Sequence, residues 1–247
     1  MKLNICHLYP DLLNLYGDQG NIKALSLRSQ KRGIEVEIIP AAFGERANFS
    51  DCDFIFIGSG QDAEQRILLE ELQAWRGAEI KAAIADGITF LAIAGGGELL
   101  GHSYKTLDGA EMDFIGALDF YSVAQKERMV GDYLFSWDET GEEIPIVGFE
   151  NHAAVTFLGA GVRPLGQIIK GHGNNGQDKT EGARYLNTFC TYSHGPILPK
   201  NPKFADFLLE TALKHKYGDM TLSPLDDTLE AQANAYMVNR LMNTEKQ

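Results

Sequence analysis

The segment Ile88-Thr89-Phe90-Leu91-Ala92-Ile93-Ala94-Gly95-Gly96-Gly97-Glu98-Leu99-Leu100-Gly101 runs from β-prone apolar residues through three glycines into a short helix starting near Glu98. Such an apolar run suits a parallel strand buried on both faces, because neither face meets water. A sharp strand-to-helix turn with small residues two before and two after its apex holds the apex side chain strained and exposed, as in a nucleophile elbow. Ala92 and Gly96 are those small neighbours, and Ala94 is the apex. The helix N-terminus beyond it would lower a thiol's pKa, and the Gly95 amide could donate to an oxyanion. The apex itself carries only a methyl group. A dinucleotide-binding loop does not fit, since leucine stands where the last glycine of GxGxxG belongs, and a phosphate loop would need a Gly-Lys-Ser/Thr that is absent. A plain tight βα turn is the other reading, glycine clusters being common there.

Around this segment, strands alternate with helices. Strands are expected at 3–7, 34–39 and 54–57, the last closed by Gly58-Ser59-Gly60. Helices are expected at about 21–32, at 62–75 with Ile67, Leu68, Leu72 and Trp75 on one face, and at 78–86 before Asp86-Gly87. The alternation implies an α/β fold with a mainly parallel central sheet and right-handed crossovers. From about 113 to 192 the sequence reads as short strands, such as 144–149, joined by loops rich in Gly and Asn. Helices return at about 202–216 and 228–243, the latter within a C-terminal extension of about 218–247 that packs outside or on a partner.

With 247 residues, 44% of them hydrophobic, the chain suits one domain spanning 1–247 with a sizeable core. A net charge of -12 argues against non-specific nucleic-acid binding, which needs clustered Lys and Arg. Cys6, Cys52 and Cys190 lack metal or redox spacing and read as buried thiols of a reducing compartment. The first residues already read as a strand, and no apolar run approaches the roughly 20 residues of a membrane span, so a soluble cytoplasmic protein without a signal peptide is expected.

Cys190-Thr191-Tyr192-Ser193-His194-Gly195-Pro196 is a short strand leading to a histidine in a turn. An imidazole there suits general-base work, although a single histidine is more often structural. His152, in Gly148-Phe149-Glu150-Asn151-His152, is a weaker candidate; His7, His102, His172 and His215 have no constellation around them.

The elbow segment 91–101 resembles that of the class I, cobyric-acid-synthase-like glutamine amidotransferases, Cys-Gly-Gly-Tyr-Gln-x-Leu-Gly, with position 94 at the cysteine. Tyr192-Ser193-His194-Gly195-Pro196-Ile197-Leu198-Pro199-Lys200 resembles the segment carrying the catalytic histidine in the GatD branch. Leu15-Tyr16-Gly17-Asp18, 58–65, Asp119-Phe120-Tyr121, Arg128 with Gly131-Asp132, 148–152 and Gly173-Asn174-Asn175 extend the resemblance over nearly the whole chain.

The resemblance implies a flavodoxin-like three-layer fold and a glutaminase subunit. Glutamine would be split to glutamate and ammonia, and the ammonia passed to MurT, an ATP-dependent Mur-ligase-like partner that amidates D-glutamate in lipid II of peptidoglycan. No cofactor or metal is implied. Position 94 would be the nucleophile, His194 the base, Arg128 a substrate-binding group, and the Gly95 amide with an amide near Gly60 the oxyanion hole. The departures matter as much. Ala94 has no nucleophilic atom, so the chain as written is expected to be inactive. Gly97-Glu98 stand where the family has an aromatic residue and glutamine, and Ala153-Ala154-Val155 where it has small residues and an arginine. Pro196 occupies a position that is acidic in many class I triads, which leaves a Cys-His dyad whose orienting group is unknown. The alternative function is a non-catalytic pseudo-amidotransferase serving as a binding or scaffold subunit.

Overall fold

The computed structural model describes residues 1–243. In chain order the first half comprises β1 (Lys2–Leu8), α1 (Gly20–Gln30), β2 (Glu35–Ala41), β3 (Phe54–Ile57), α2 (Asp62–Glu71), α3 (Gly77–Asp86), β4 (Thr89–Ile93) and the single turn α4 (Gly95–Glu98). A π-helical stretch, Leu72–Arg76, joins α2 to α3, so the two expected helices are continuous. Leu68 and Leu72 face the core as expected, but Ile67 is exposed. The second half holds β5 (Ser103–Lys105), β6 (Glu111–Asp113), β7 (Phe120–Trp137), β8 (Ile144–Leu158), β9 (Gly166–Lys170), β10 (Thr180–Glu181), β11 (Ala183–Tyr185), β12 (Thr188–Thr191), α5 (Ile197–Lys200), α6 (Pro202–Tyr217) and α7 (Thr228–Asn243). Of the expected extension at about 218–247, only α7 is helical among the described residues; 244–247 lie outside them.

The central sheet has the order β11-β12-β4-β3-β1-β2, parallel except for the edge strand β11. Its parallel part follows the flavodoxin-like order, in which the chain reverses direction across the sheet between β1 and β3. Side-chain alternation explains the apolar runs. Phe54, Phe56, Leu91 and Ile93 enter the core beneath α1 and α6, whereas Ile55, Ile57, Phe90 and Ala92 enter the core on the other face with Leu68, Ile80 and Ile84 of α2 and α3.

The expectation of short strands in the second half is corrected by β7 and β8, which are 18 and 15 residues long and pair antiparallel from Phe120↔Leu158 to Trp137↔Ile144. Glycines and polar residues along this hairpin suggested loops; its long partly solvated stretches need no continuous apolar pattern. The hairpin contributes to both cores, with Phe120 and Ala154 in one and Tyr133, Phe135 and Trp137 in the other. Its register breaks between Ala124 and Met129, where residues 125–128 of β7 stand opposite Ala153 alone in β8.

Candidate active site

Ala94 sits at the tip of β4 with φ +40° and ψ −114°, a conformation that L residues other than glycine avoid. Close packing fixes it there. The Ala94 amide donates to Thr191 O at 2.8 Å, its carbonyl accepts from Glu98 N at 2.9 Å, and a Cβ on Gly95 or Gly96 would collide with the carbonyl oxygen of Gly60 or Gly58. The elbow therefore needs glycine at 95 and 96 because the β3 turn lies against it. Since α4 is one turn, the expected helix dipole shrinks to the few first-turn amides, Gly95 among them.

A pocket of about 600 Å³ opens at the carboxyl ends of β1, β3 and β4, where flavodoxin-like sheets bind ligands and within the size range of small-molecule sites. Ala94, Gly95, Gly60 and Arg128 all line it, together with Tyr16, Glu98, Asn151 and His152. Arg128 reaches it from the register break, as a bulge re-aims a side chain out of the ladder. Its Nε and Nη2 donate to Asn151 Oδ1 at 3.1 and 2.9 Å, and Nη2 also donates to Asn151 O at 3.0 Å.

His194 arrives at the same sheet edge because β12 lies beside β4, with Thr191 opposite Ile93. Its backbone amide donates to Phe149 O at 2.7 Å. The imidazole is only 1% exposed and lies against the Tyr16 ring, edge to face at 4.8 Å between centroids; Tyr16 lines the pocket and His194 does not. Its Nδ1 is 3.5 Å from Asp18 Oδ1, while Asp18 Oδ2 accepts from Ser59 N at 2.9 Å. Asp18 is fully buried and has the position of an orienting group, with Nε2 left on the opposite side of the ring. Sequence reading marked Asp18 only within a resembling segment, because its partner is 176 residues away.

His152, the weaker candidate, is on the pocket wall. It stacks on Tyr192 at 3.8 Å, its Nδ1 donates to Ala154 O at 2.7 Å, and its Nε2 lies 3.8 Å from the Glu150 carboxylate. Nδ1 thus has a protein acceptor, whereas Nε2 is buried without a hydrogen-bond partner among the described residues. Glu98 is held by Gln65 Nε2 at 2.8 Å and by Tyr192 Oη, which donates at 3.0 Å. Burial raises its pKa above the ordinary carboxylate value despite those donors. The thiol nearest the elbow is Cys190, which shares a cavity of about 20 Å³ with Ala94 and Gly97. Burial pushes it up to about 12, so it is a poor substitute nucleophile. Among the described residues no cluster of His, Cys, Asp or Glu is arranged to hold a metal ion, and no helix is long and apolar enough to cross a membrane.

This arrangement of elbow, pocket and sheet order accompanies a match of residues 4–202 to the CobB/CobQ-like glutamine amidotransferase domain. The chain belongs to this family. The chain is 41% identical over 245 residues to the GatD subunit of lipid II isoglutaminyl synthase (glutamine-hydrolyzing) from Staphylococcus aureus, covering 99% of this chain and 98% of the relative. It is 38% identical to the GatD subunit from Streptococcus pneumoniae, covering 94% and 88%. Among solved structures, the amidotransferase fold resembles a glutamine amidotransferase from Thermotoga maritima, with a TM-score of 0.55 and 13% identity over 98% of this chain and 99% of that one. PurLQS from the same organism gives a TM-score of 0.55 and 14% identity, covering 78% and 88%. At such identities these two speak for the fold alone.

Proposed function

We propose that this chain is the glutamine-binding subunit of a lipid II isoglutaminyl synthase type of complex, holding glutamine at the elbow without hydrolysing it. The observation that carries the reading is the strained apex at Ala94, which lines a pocket roomy enough for glutamine together with the guanidinium of Arg128. Arg128 would pair with the substrate carboxylate. The amides of Gly95 and Gly60 would receive the developing oxyanion, and His194, oriented by Asp18, would move the proton. In a cysteine-bearing homologue the thiolate attacks the amide carbon, ammonia leaves with the proton delivered by the imidazole, and water hydrolyses the thioester. Ala94 offers no atom for the first bond. The likeness to two GatD subunits supports a partner of the MurT kind, an ATP-dependent Mur-ligase-like protein that would use the ammonia on D-glutamate of lipid II.

The test is Ala94→Cys in the presence of such a partner. Release of glutamate from glutamine is expected to appear in the variant and not in the parent, and a folded, partner-bound variant without turnover would count against the reading. A second reading, a non-catalytic scaffold subunit, is favoured by the elbow changes beyond the nucleophile, Gly97 and Glu98. It requires partner binding with no calorimetric heat from glutamine in parent or variant.

A further inference from the structure

Three side chains of the pocket form a chain that ends on the buried imidazole. Arg128 grips Asn151 through Nε and Nη2, the forked edge that a carboxylate would otherwise take. Asn151 in turn donates through Nδ2 to Tyr16 Oη at 2.7 Å. The Tyr16 ring then rests edge-on against His194 at 4.8 Å. Tyr16 is held there under strain: its φ is +54° and ψ 20°, a left-handed conformation that a bulky side chain rarely adopts, and the residue is 47% exposed. The contact that retains this ring over His194 is thus made by a side chain whose own oxygen is held by the pocket's arginine.

We propose that Asn151 is a relay: a ligand carboxylate displaces it from Arg128, which loosens Tyr16 and opens the way from the pocket to His194. This rests on the reading of the pocket as a glutamine site. The chemistry favours the exchange, because an ionised carboxylate is a stronger acceptor for a guanidinium than a carboxamide and a peptide oxygen. Asn151 is then a competitor of the ligand and a positioning residue for His194, and it makes no contact with the reacting atoms. The arrangement keeps the imidazole covered while Arg128 holds Asn151 and exposes it once a ligand carboxylate takes the arginine.

The competitor role has a sign opposite to that of a residue that merely orients Arg128. Calorimetry with L-glutamine on the full-length chain should show Asn151→Ala binding roughly fivefold more tightly than the parent, since the two hydrogen bonds from Arg128 to the carboxamide oxygen no longer have to be broken first. The His194 ring resonance, assigned with His194→Gln, should move in ligand-free Asn151→Ala toward its position in Tyr16→Ala. In the parent it should make the same move only on addition of glutamine. Tyr16→Phe, which keeps the ring and removes only the hydroxyl, should show the shifted resonance without ligand and bind glutamine at least as tightly as the parent, because the Asn151–Tyr16 bond is already gone. Weaker glutamine binding by Asn151→Ala, or a His194 resonance unmoved in both Asn151→Ala and Tyr16→Phe, overturns the relay while leaving the glutamine site standing. Absence of glutamine binding in parent and variants alike removes the site and the relay together.

Discussion

At the scale of single residues, Ala94 and Glu181 hold energies that a change of one side chain would release. A non-glycine residue at φ +40° costs on the order of 1–3 kcal/mol, against up to about 1 kcal/mol of extra chain entropy lost when glycine is fixed. Ala94→Gly is therefore expected to raise unfolding free energy by about 1 kcal/mol in urea titrations, and a loss instead would mean the apex is not strained. Glu181 is fully buried, with Oε1 accepting from Thr191 Oγ1 at 2.7 Å and Tyr192 N at 2.9 Å, and burial raises its pKa to about 7. Between the ordinary value of 4.5 and about 7 the unfolded chain ionises this group and the folded chain does not, so its contribution to stability falls as pH rises through that window. Glu181→Gln keeps an acceptor for both donors and removes the penalty. Its advantage over the parent should grow from near zero at pH 4 to on the order of 3 kcal/mol at pH 8, and parallel stability curves would exclude the assignment. The elbow residues were legible because strand, apex and glycines are contiguous in sequence. Asp18, Tyr16 and Asn151 were not, since their contacts form only when segments more than a hundred residues apart meet.

Among the elements, the strand-to-helix turn makes a paired prediction. A methyl at 96 would strike the Gly58 carbonyl, whereas one at 97 would make ordinary contact at 3.5 Å with Cys190 Cβ. Gly96→Ala should cost about 2–3 kcal/mol from overpacking, while Gly97→Ala should gain about 0.5–1 kcal/mol from helix propensity and chain stiffness. Equal effects in chemical denaturation would contradict the close approach of β3 to the elbow. The buried strands β3 and β4 were read correctly from their unbroken apolar runs, for which two-sided burial leaves little alternative. The β7–β8 hairpin was read as short pieces. Its middle residues are held by the partner strand's hydrogen bonds, a tertiary constraint that leaves weak local pattern.

For the whole molecule, the two cores lie on opposite faces of one sheet and share the long hairpin, and we propose that they unfold as a single unit. One calorimetric transition with matching van't Hoff and calorimetric enthalpies is expected, and two resolved transitions would divide the chain. α7 is attached more lightly, through Met237, Val238 and Leu241 on Leu134 and Val147, with Asn234 Nδ2 donating to Lys200 O at 2.9 Å. Ending the chain after Asp227, whose bonds to Arg28 remain, should lower stability by roughly 2–4 kcal/mol without abolishing folding, on the scale of a few lost core contacts. The register break in β7 carries a wider consequence. Because residues 125–128 project from the ladder while the strand on either side stays paired, their composition can vary without disturbing the interior. Exchanging that tetrapeptide alone would give the cleft a different charge, so new ligand preferences are within reach of mutations that leave folding untouched.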